Sequence, residues 1–157
     1  MVLEEVERNQ VVNIFGCKNS VIQIKGKVNA ISMSRSSLQS LSGSSLNATS
    51  PANCQKTSLL VDSVISSVSI TNSGSFALQV TGTAPTIQVD ATDSGQIFLS
   101  KSCLGAEIIT AKCSAINVSL PVEGEEDGIF TEKPIPEMFR TVVQNGKLVT
   151  NIVEHSS

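Results

Sequence analysis

Short pairs of apolar residues, each split by a single residue, recur along this chain at a fixed interval. They fall at Val12-x-Ile14, Ile22-x-Ile24, Ile31-x-Met33, Leu59-x-Val61, Val68-x-Ile70, Leu78-x-Val80, Ile87-x-Val89, Ile97-x-Leu99 and Ile116-x-Val118, with an irregular one at Ile108-Ile109. From Leu59 the starts step by 9, 10, 9 and 10 residues, so Leu59 to Leu78, Val68 to Ile87 and Leu78 to Ile97 each span 19. Val12 to Ile31 and Ile97 to Ile116 also span 19. Side chains alternate across a strand, so each pair reads as a short strand with one apolar face. Turn formers separate the pairs: Gly16, Lys25-Gly-Lys27, Asn72-Ser-Gly74, Thr81-Gly-Thr83 and Asp93-Ser-Gly95. A β-sandwich would share the short spacing. A steady double period points instead to coils of two flattened faces stacked as a β-solenoid.

Composition agrees with that reading. The chain has 157 residues, enough for one domain with its own core. It carries 24 Ser, 17 Val and 14 Ile but five Phe and no Trp or Tyr, a mix suited to stacked strands rather than helices. The net charge of −3, with three Arg and few aromatics, argues against a nucleic-acid binder. No apolar run approaches the roughly 20 residues of a membrane helix. The charged start, Met1 to Arg8, lacks a signal-peptide core, so a cytoplasmic location is expected. Cys17, Cys54, Cys103 and Cys113 form no C-x-x-C pair, which argues against zinc and leaves them as buried or half-buried thiols. The single His155, three residues from the end, lacks a fixed shell and is a poor general base. No cofactor or metal is expected.

The repeat is interrupted over residues 34–56, a Ser-rich stretch read as a loop thrown out of one coil. Residues 1–133 are read as the solenoid and 134–157 as a separate C-terminal unit. The acidic run Glu123 to Asp127 reads as a turn-like, solvated linker. Pro134-Ile-Pro136 fixes an extended connection. Asn145-Gly146 between two alternating apolar runs is a strong hairpin signal. A lone hairpin is marginal in water. It either caps the last coil or is exchanged with a second subunit.

Several segments resemble, in order, the C-terminal domain of the cyclase-associated proteins. Gln23-Ile-Lys-Gly-Lys-Val-Asn-Ala-Ile31 is similar to that family's Q-I-K-G-K signature, and Ala84-Pro-Thr-Ile87 to its V-P-T-I. Leu99-Ser-Lys101, Glu107 to Lys112, Pro134 to Phe139 and Asn145 to Thr150 resemble further family segments. The resemblance implies a right-handed parallel β-helix that dimerises by exchanging its C-terminal hairpin. It implies binding to monomeric actin, the ADP form preferred, and promotion of nucleotide exchange, with no enzymatic activity. The actin contacts it implies are Lys25, Lys27, Asn29, Lys101 and Lys112, with Lys18 nearby. The dimer residues it implies are Phe139, Val142, Val143, Leu148, Val149, Ile152 and Val153, and the tail Glu154 to Ser157 would reach toward the nucleotide cleft. A cytoskeletal location follows from the same resemblance. The chain departs from the family in having Thr83 and Ala91 where Lys is common.

Other classes remain open. One is an actin-sequestering protein without exchange activity. A cofactor C-like GTPase activator would need an Arg in a repeat turn, and only Arg8, Arg35 and Arg140 exist. A sugar-processing β-helix would need convergent carboxylates, for which Asp62, Asp90 and Asp93 are the solenoid's Asp residues.

Overall fold

The computed structural model describes residues 1–4, 8–34 and 55–153. Its strands, in chain order, are β1 (Val2–Leu3), β2 (Val11–Phe15), β3 (Val21–Val28), β4 (Ala30–Ser34), β5 (Gln55–Val64), β6 (Ser67–Thr71) and β7 (Gly74–Val80). They continue as β8 (Thr86–Asp90), β9 (Asp93–Leu99), β10 (Glu107–Ala111), β11 (Ser114–Pro121), β12 (Phe130–Pro134), β13 (Phe139–Gln144) and β14 (Lys147–Ile152). One sheet runs β1-β3-β5-β7-β9-β11-β12 and a second runs β10-β8-β6-β4-β2. Neighbouring strands are parallel, except that β12 runs antiparallel to β11. The chain therefore alternates between two faces as it climbs, which is the expected β-solenoid.

The apolar pairs form columns through the stack. Ile22, Leu59, Leu78, Ile97 and Val118 align on the first sheet. Ile31, Val68, Ile87 and Ile108 align on the second. Leu59, Leu78, Ile87 and Ile97 are essentially inaccessible to water. Each such side chain contributes on the order of 1.5–3 kcal/mol by leaving water.

Register corrects the sequence reading in the last coil. Ile97 pairs with Val118, 21 residues on, and Ile116 pairs with Gly95. A 3₁₀ turn at Lys101–Cys103 lengthens this coil at its corner. The irregular Ile108-Ile109 is resolved the same way: Ile108 aligns with Ile87 and is half-buried, while Ile109 faces outward. Gly95 makes room for Phe76 on the coil before, because a Cβ there would lie 2.0 Å from the Phe76 ring.

Some turn signals lie inside strands. Gly26 is within β3, Gly74 begins β7, and Asp93-Ser-Gly95 opens β9. The corner leading from the second sheet to the first is instead built on left-handed residues at matching places: Gly16, Asn72, Ala91 and Lys112. Beside them Cys17, Ser73, Thr92 and Cys113 each donate to the carbonyl two residues earlier. A thiol thus does a hydroxyl's work there. Cys103 is buried in the opposite corner, and burial pushes its thiol up. Cys54 and most of the Ser-rich stretch lie outside the described residues, while Ser34 ends β4 and Gln55 begins β5.

The acidic run is exposed and turn-like, as read, and forms the loop of an antiparallel turn from β11 to β12. The Val122 N–H donates to the Ile129 carbonyl across it. Phe130 meets Phe98 edge-to-face at 5.5 Å. Glu132 accepts amide bonds from Gln96 and Asn117 at 3.2 and 2.6 Å. The connection that follows is fastened to the last coil. The Ile135 N–H donates to the Ile116 carbonyl, and the Glu137 carboxylate accepts the Ala115 N–H.

Beyond Met138 the chain forms the expected hairpin. Phe139 pairs with Ile152, Val142 with Val149 and Val143 with Leu148. Asn145 and Gly146 both adopt positive φ, 49° and 72°, as a tight primed turn requires. Among the described residues no strand of the solenoid pairs with β13 or β14.

Candidate functional site

The segment Gln23 to Ile31 contains the least regular point of the first sheet. β3 follows β5 in register to Ile24↔Val61 and resumes at Lys27↔Ser63. Lys25 and Gly26 therefore stand opposite the single residue Asp62, a β-bulge that re-aims the side chains on either side. Gly26 has φ +93°, a region that only glycine enters readily. Its N–H donates to the Asp62 carboxylate at 2.9 Å. The other carboxylate oxygen accepts the Thr81 hydroxyl at 3.2 Å.

From Asp62 a polar strip continues across the coils. The Gly82 N–H donates to the Asp62 carbonyl at 2.6 Å. The Thr83 N–H donates to the Ser63 hydroxyl at 3.2 Å. Ser100 and Ser102 both donate to the Gly82 carbonyl, at 2.7 and 3.1 Å. Gly82 has no room for a side chain, since a Cβ would sit 2.1 Å from the Ser63 hydroxyl. Lys101 lies between the two serines. One corner thus carries Lys25 and Lys27 on an early coil and Lys101 on a late one.

The other expected contacts divide. Asn29 follows β3 on this same corner, half-buried, with its N–H bonded to the Gln10 carbonyl and its carbonyl taking the Ser66 N–H. Lys112 sits on the opposite corner, in the left-handed column with Asn72 and Ala91, and Lys18 also lies on that side. The five residues do not form one patch. Of the positions where the chain departs from the resembled pattern, Thr83 is on the Lys25 corner and Ala91 on the Lys112 corner.

Two of the lysines are engaged within the chain. Lys25 bonds Glu4, both exposed, which holds Lys25 above the ordinary lysine value and Glu4 below the ordinary carboxylate value. Lys101 bonds Asp127 at 3.0 Å. Among the described residues Lys27 has no ion pair.

Asp62 lies on the corner opposite that flanked by Asp90 and Asp93, so the three carboxylates do not converge. Arg140 is in the hairpin, Arg8 precedes β2, and Arg35 and His155 lie outside the described residues. Among the described residues no cluster of His, Cys, Asp and Glu could hold a metal ion. No helix among them is long and apolar enough to cross a membrane. Sequence reasoning took Thr81 and Gly82 only as turn formers, did not single out Ser100 or Ser102, and weighed Asp62 only as a carboxylate of a sugar-processing site. The signal for all five is register arithmetic, available once the 19-residue coil is fixed.

The hairpin residues are conspicuously bare. Phe139, Val143, Leu148 and Ile152 are 57%, 71%, 75% and 54% exposed. Val142 and Val149 are half-buried against each other across the strands, and Val153 closes the base through its N–H to the Met138 carbonyl.

Comparison with known proteins is consistent along the whole chain. The family model described as the C terminal of the adenylate cyclase associated proteins matches residues 1–46 and 43–155. Adenylyl cyclase-associated protein 1 of Bos taurus is 40% identical over 154 residues, covering 98% of this chain and 28% of that protein. The Schizosaccharomyces pombe protein is 37% identical over 99% of this chain and 24% of its own length, and the Dictyostelium discoideum protein 38% over 99% and 29%. The chain thus spans less than a third of the curated relatives it matches. The crystal structure of a cyclase-associated protein from Cryptosporidium parvum superposes with a TM-score of 0.66 at 27% identity, covering 97% of this chain and 89% of that one. With the order of its motifs, its solenoid and these matches in agreement, the chain belongs to the adenylyl cyclase-associated protein family, as that family's C-terminal domain.

Proposed function

We propose that this chain is a non-enzymatic, actin-monomer-binding module that prefers ADP-actin, promotes exchange of ADP for ATP, and acts as a homodimer. The cytoplasm, at the cytoskeleton, is its proposed place of action. The observation that carries the contact surface is the bulge, which presents Lys25 and Lys27 at an exposed corner. Exposed lysines steer an acidic partner and fix its register more than they add raw affinity. Asn29 and Lys101 extend that surface along the same corner. Lys112 would contact a partner only by way of the opposite corner.

The hairpin supports dimerisation by exchange. Its apolar side chains are bare, and a two-stranded hairpin does not stand alone well in water. Phe139, Val142, Val143, Leu148, Val149, Ile152 and Val153 are the proposed dimer residues. A two-fold dimer offers two equal faces and hence one actin per protomer.

The proposed mechanism moves an equilibrium rather than a bond. A ligand that prefers one state of its partner shifts the partner toward it. Here the favoured state is an actin with a looser nucleotide cleft, from which ADP leaves faster. The test is to mix the protein with ADP-actin carrying a fluorescent nucleotide and chase with ATP. Faster release than from actin alone supports the reading, and no binding sinks it.

A second reading, sequestration without exchange, draws on one observation. Lys25 and Lys101 are already paired within the chain, and Thr83 adds no charge between them. Binding accompanied by unchanged or slower release would select it.

A further inference from the structure

We propose that Asp62 is a positioning residue for the Lys25–Lys27 contact pair. The proposal rests on reading this corner as the actin-contact surface.

The bulge removes the Gly26 amide from the regular ladder. The ladder is intact at Ile24↔Val61 and again at Lys27↔Ser63, so Lys25 stands in the break and Lys27 just past it. The Gly26 N–H goes to one Asp62 carboxylate oxygen at 2.9 Å. The other oxygen is held by Thr81 on the following coil at 3.2 Å, and the Thr81 hydroxyl also lies 3.3 Å from the Val61 carbonyl. The Asp62 main chain is fixed in turn by Gly82, which has no room for a side chain. The carboxylate therefore ties three successive coils together at the residue between Lys25 and Lys27. A Cβ at Gly26 would meet nothing within 4 Å, so the place of this residue is set by φ and by its bond to Asp62 rather than by packing.

Charge alone would argue against an acid here. A carboxylate beside two lysines weakens their pull on an acidic partner. Its geometric service is what accounts for it. An Asn at this place keeps an acceptor for the Gly26 N–H and sheds the charge. An Ala sheds both. The two substitutions separate geometry from electrostatics.

The experiment measures the affinity of the full chain for ADP-actin monomers in four proteins: unaltered, Asp62→Ala, Asp62→Asn, and Lys25→Ala with Lys27→Ala. Asp62→Ala is then repeated in the double-lysine background. The expected result is an affinity about threefold to tenfold weaker for Asp62→Ala, the scale of one lost hydrogen bond. Asp62→Asn binds as well as the unaltered chain or better. In the double-lysine background Asp62→Ala changes nothing further, which a merely structural role would not produce.

The proposal is overturned if Asp62→Ala binds normally, if Asp62→Asn is as weak as Asp62→Ala, or if the loss is the same in both backgrounds. Should Asp62→Ala fail to fold, Gly26→Ala disturbs the same bulge from the other strand, and it must show the same loss and the same dependence on the lysines. If replacing both lysines leaves binding unchanged, the contact-surface reading itself falls and takes this proposal with it. If that replacement weakens binding while the Asp62 and Gly26 variants do not, only this proposal falls.

Discussion

The solenoid and the hairpin are built from the same kinds of residue and put them to opposite uses. Leu78 and Ile97 are fully enclosed between sheets, whereas Leu148 and Val143 are about three-quarters exposed. Both regions carry aliphatic residues along their strands. The difference is the number of layers. Inner solenoid pairs such as those of Leu78 and Ile97 face the opposite sheet of their own coil and lie between coils above and below. Among the described residues each hairpin strand has one strand neighbour and no opposing sheet. An apolar strand residue is thus buried only where the topology supplies something to bury it against.

The sharpest way to break this contrast is to truncate one leucine in each region. Leu78→Ala should destabilise the fold by about 2–5 kcal/mol in urea titration. Leu148→Ala should scarcely move the solenoid transition. Equal effects would mean that the hairpin is part of the same cooperative core.

Charge in the hairpin probes its outward role. Val143→Glu with Leu148→Glu should convert the proposed dimer to monomer in analytical ultracentrifugation while leaving the far-ultraviolet spectrum of the solenoid intact. An undisturbed dimer would remove these two residues from the interface.

A smaller effect is expected where the two regions join. Glu137→Ala frees the Ala115 N–H and loosens the connection below the hairpin, at about 0.5–1.5 kcal/mol for one hydrogen bond. Hydrogen exchange should rise at Ala115 and along β13 but not in β7. Uniform protection would show that the connection is held by its backbone and prolines alone.

The smallest effect concerns Glu4 and Lys25, an exposed pair. Glu4 titrates below its ordinary value, so its contribution is present at neutral pH and fades as the solution is acidified through that lowered value. Lys25 titrates above its ordinary value, so its share is lost only as pH rises through the raised one. Glu4→Gln should leave the melting temperature at pH 7 nearly unchanged and abolish this small acid-side slope. A large drop in melting would place Glu4 in the core accounting after all.

Much of the architecture was legible because stacking forces equal spacing. Once one coil has 19 residues, its neighbours must match or distort, and the columns through Leu59, Leu78 and Ile97 follow. The last coil escaped because Ile116-x-Val118 falls where a 19-residue coil expects its pair, whereas register aligns Val118, two residues on, with Ile97; the added length is hidden in a corner at Lys101–Cys103. Strand β12 escaped because Phe130-Thr-Glu-Lys-Pro134 has no alternation; it is held by the neighbouring β11 and by Glu132. The lysines were identifiable one by one, but not their grouping. Whether Lys101 or Lys112 shares a corner with Lys25 depends on register carried across a 37-residue step and a 21-residue one. Asp62 was visible as an acid, and its purpose emerged only when the bulge placed Gly26 against it.

Stacking also makes the molecule a ruler. From β3, which carries the Lys25 bulge, the first sheet rises through β5, β7 and β9 to β11, onto which the base of the hairpin is fastened. Four strand spacings separate the two, or about 19 Å at roughly 4.8 Å each. Length in such a stack changes only in whole coils, while length in a loop changes by single residues. The distance between the lysine corner and the hairpin is therefore quantised, and a lineage could alter it only by gaining or losing an entire turn of the chain.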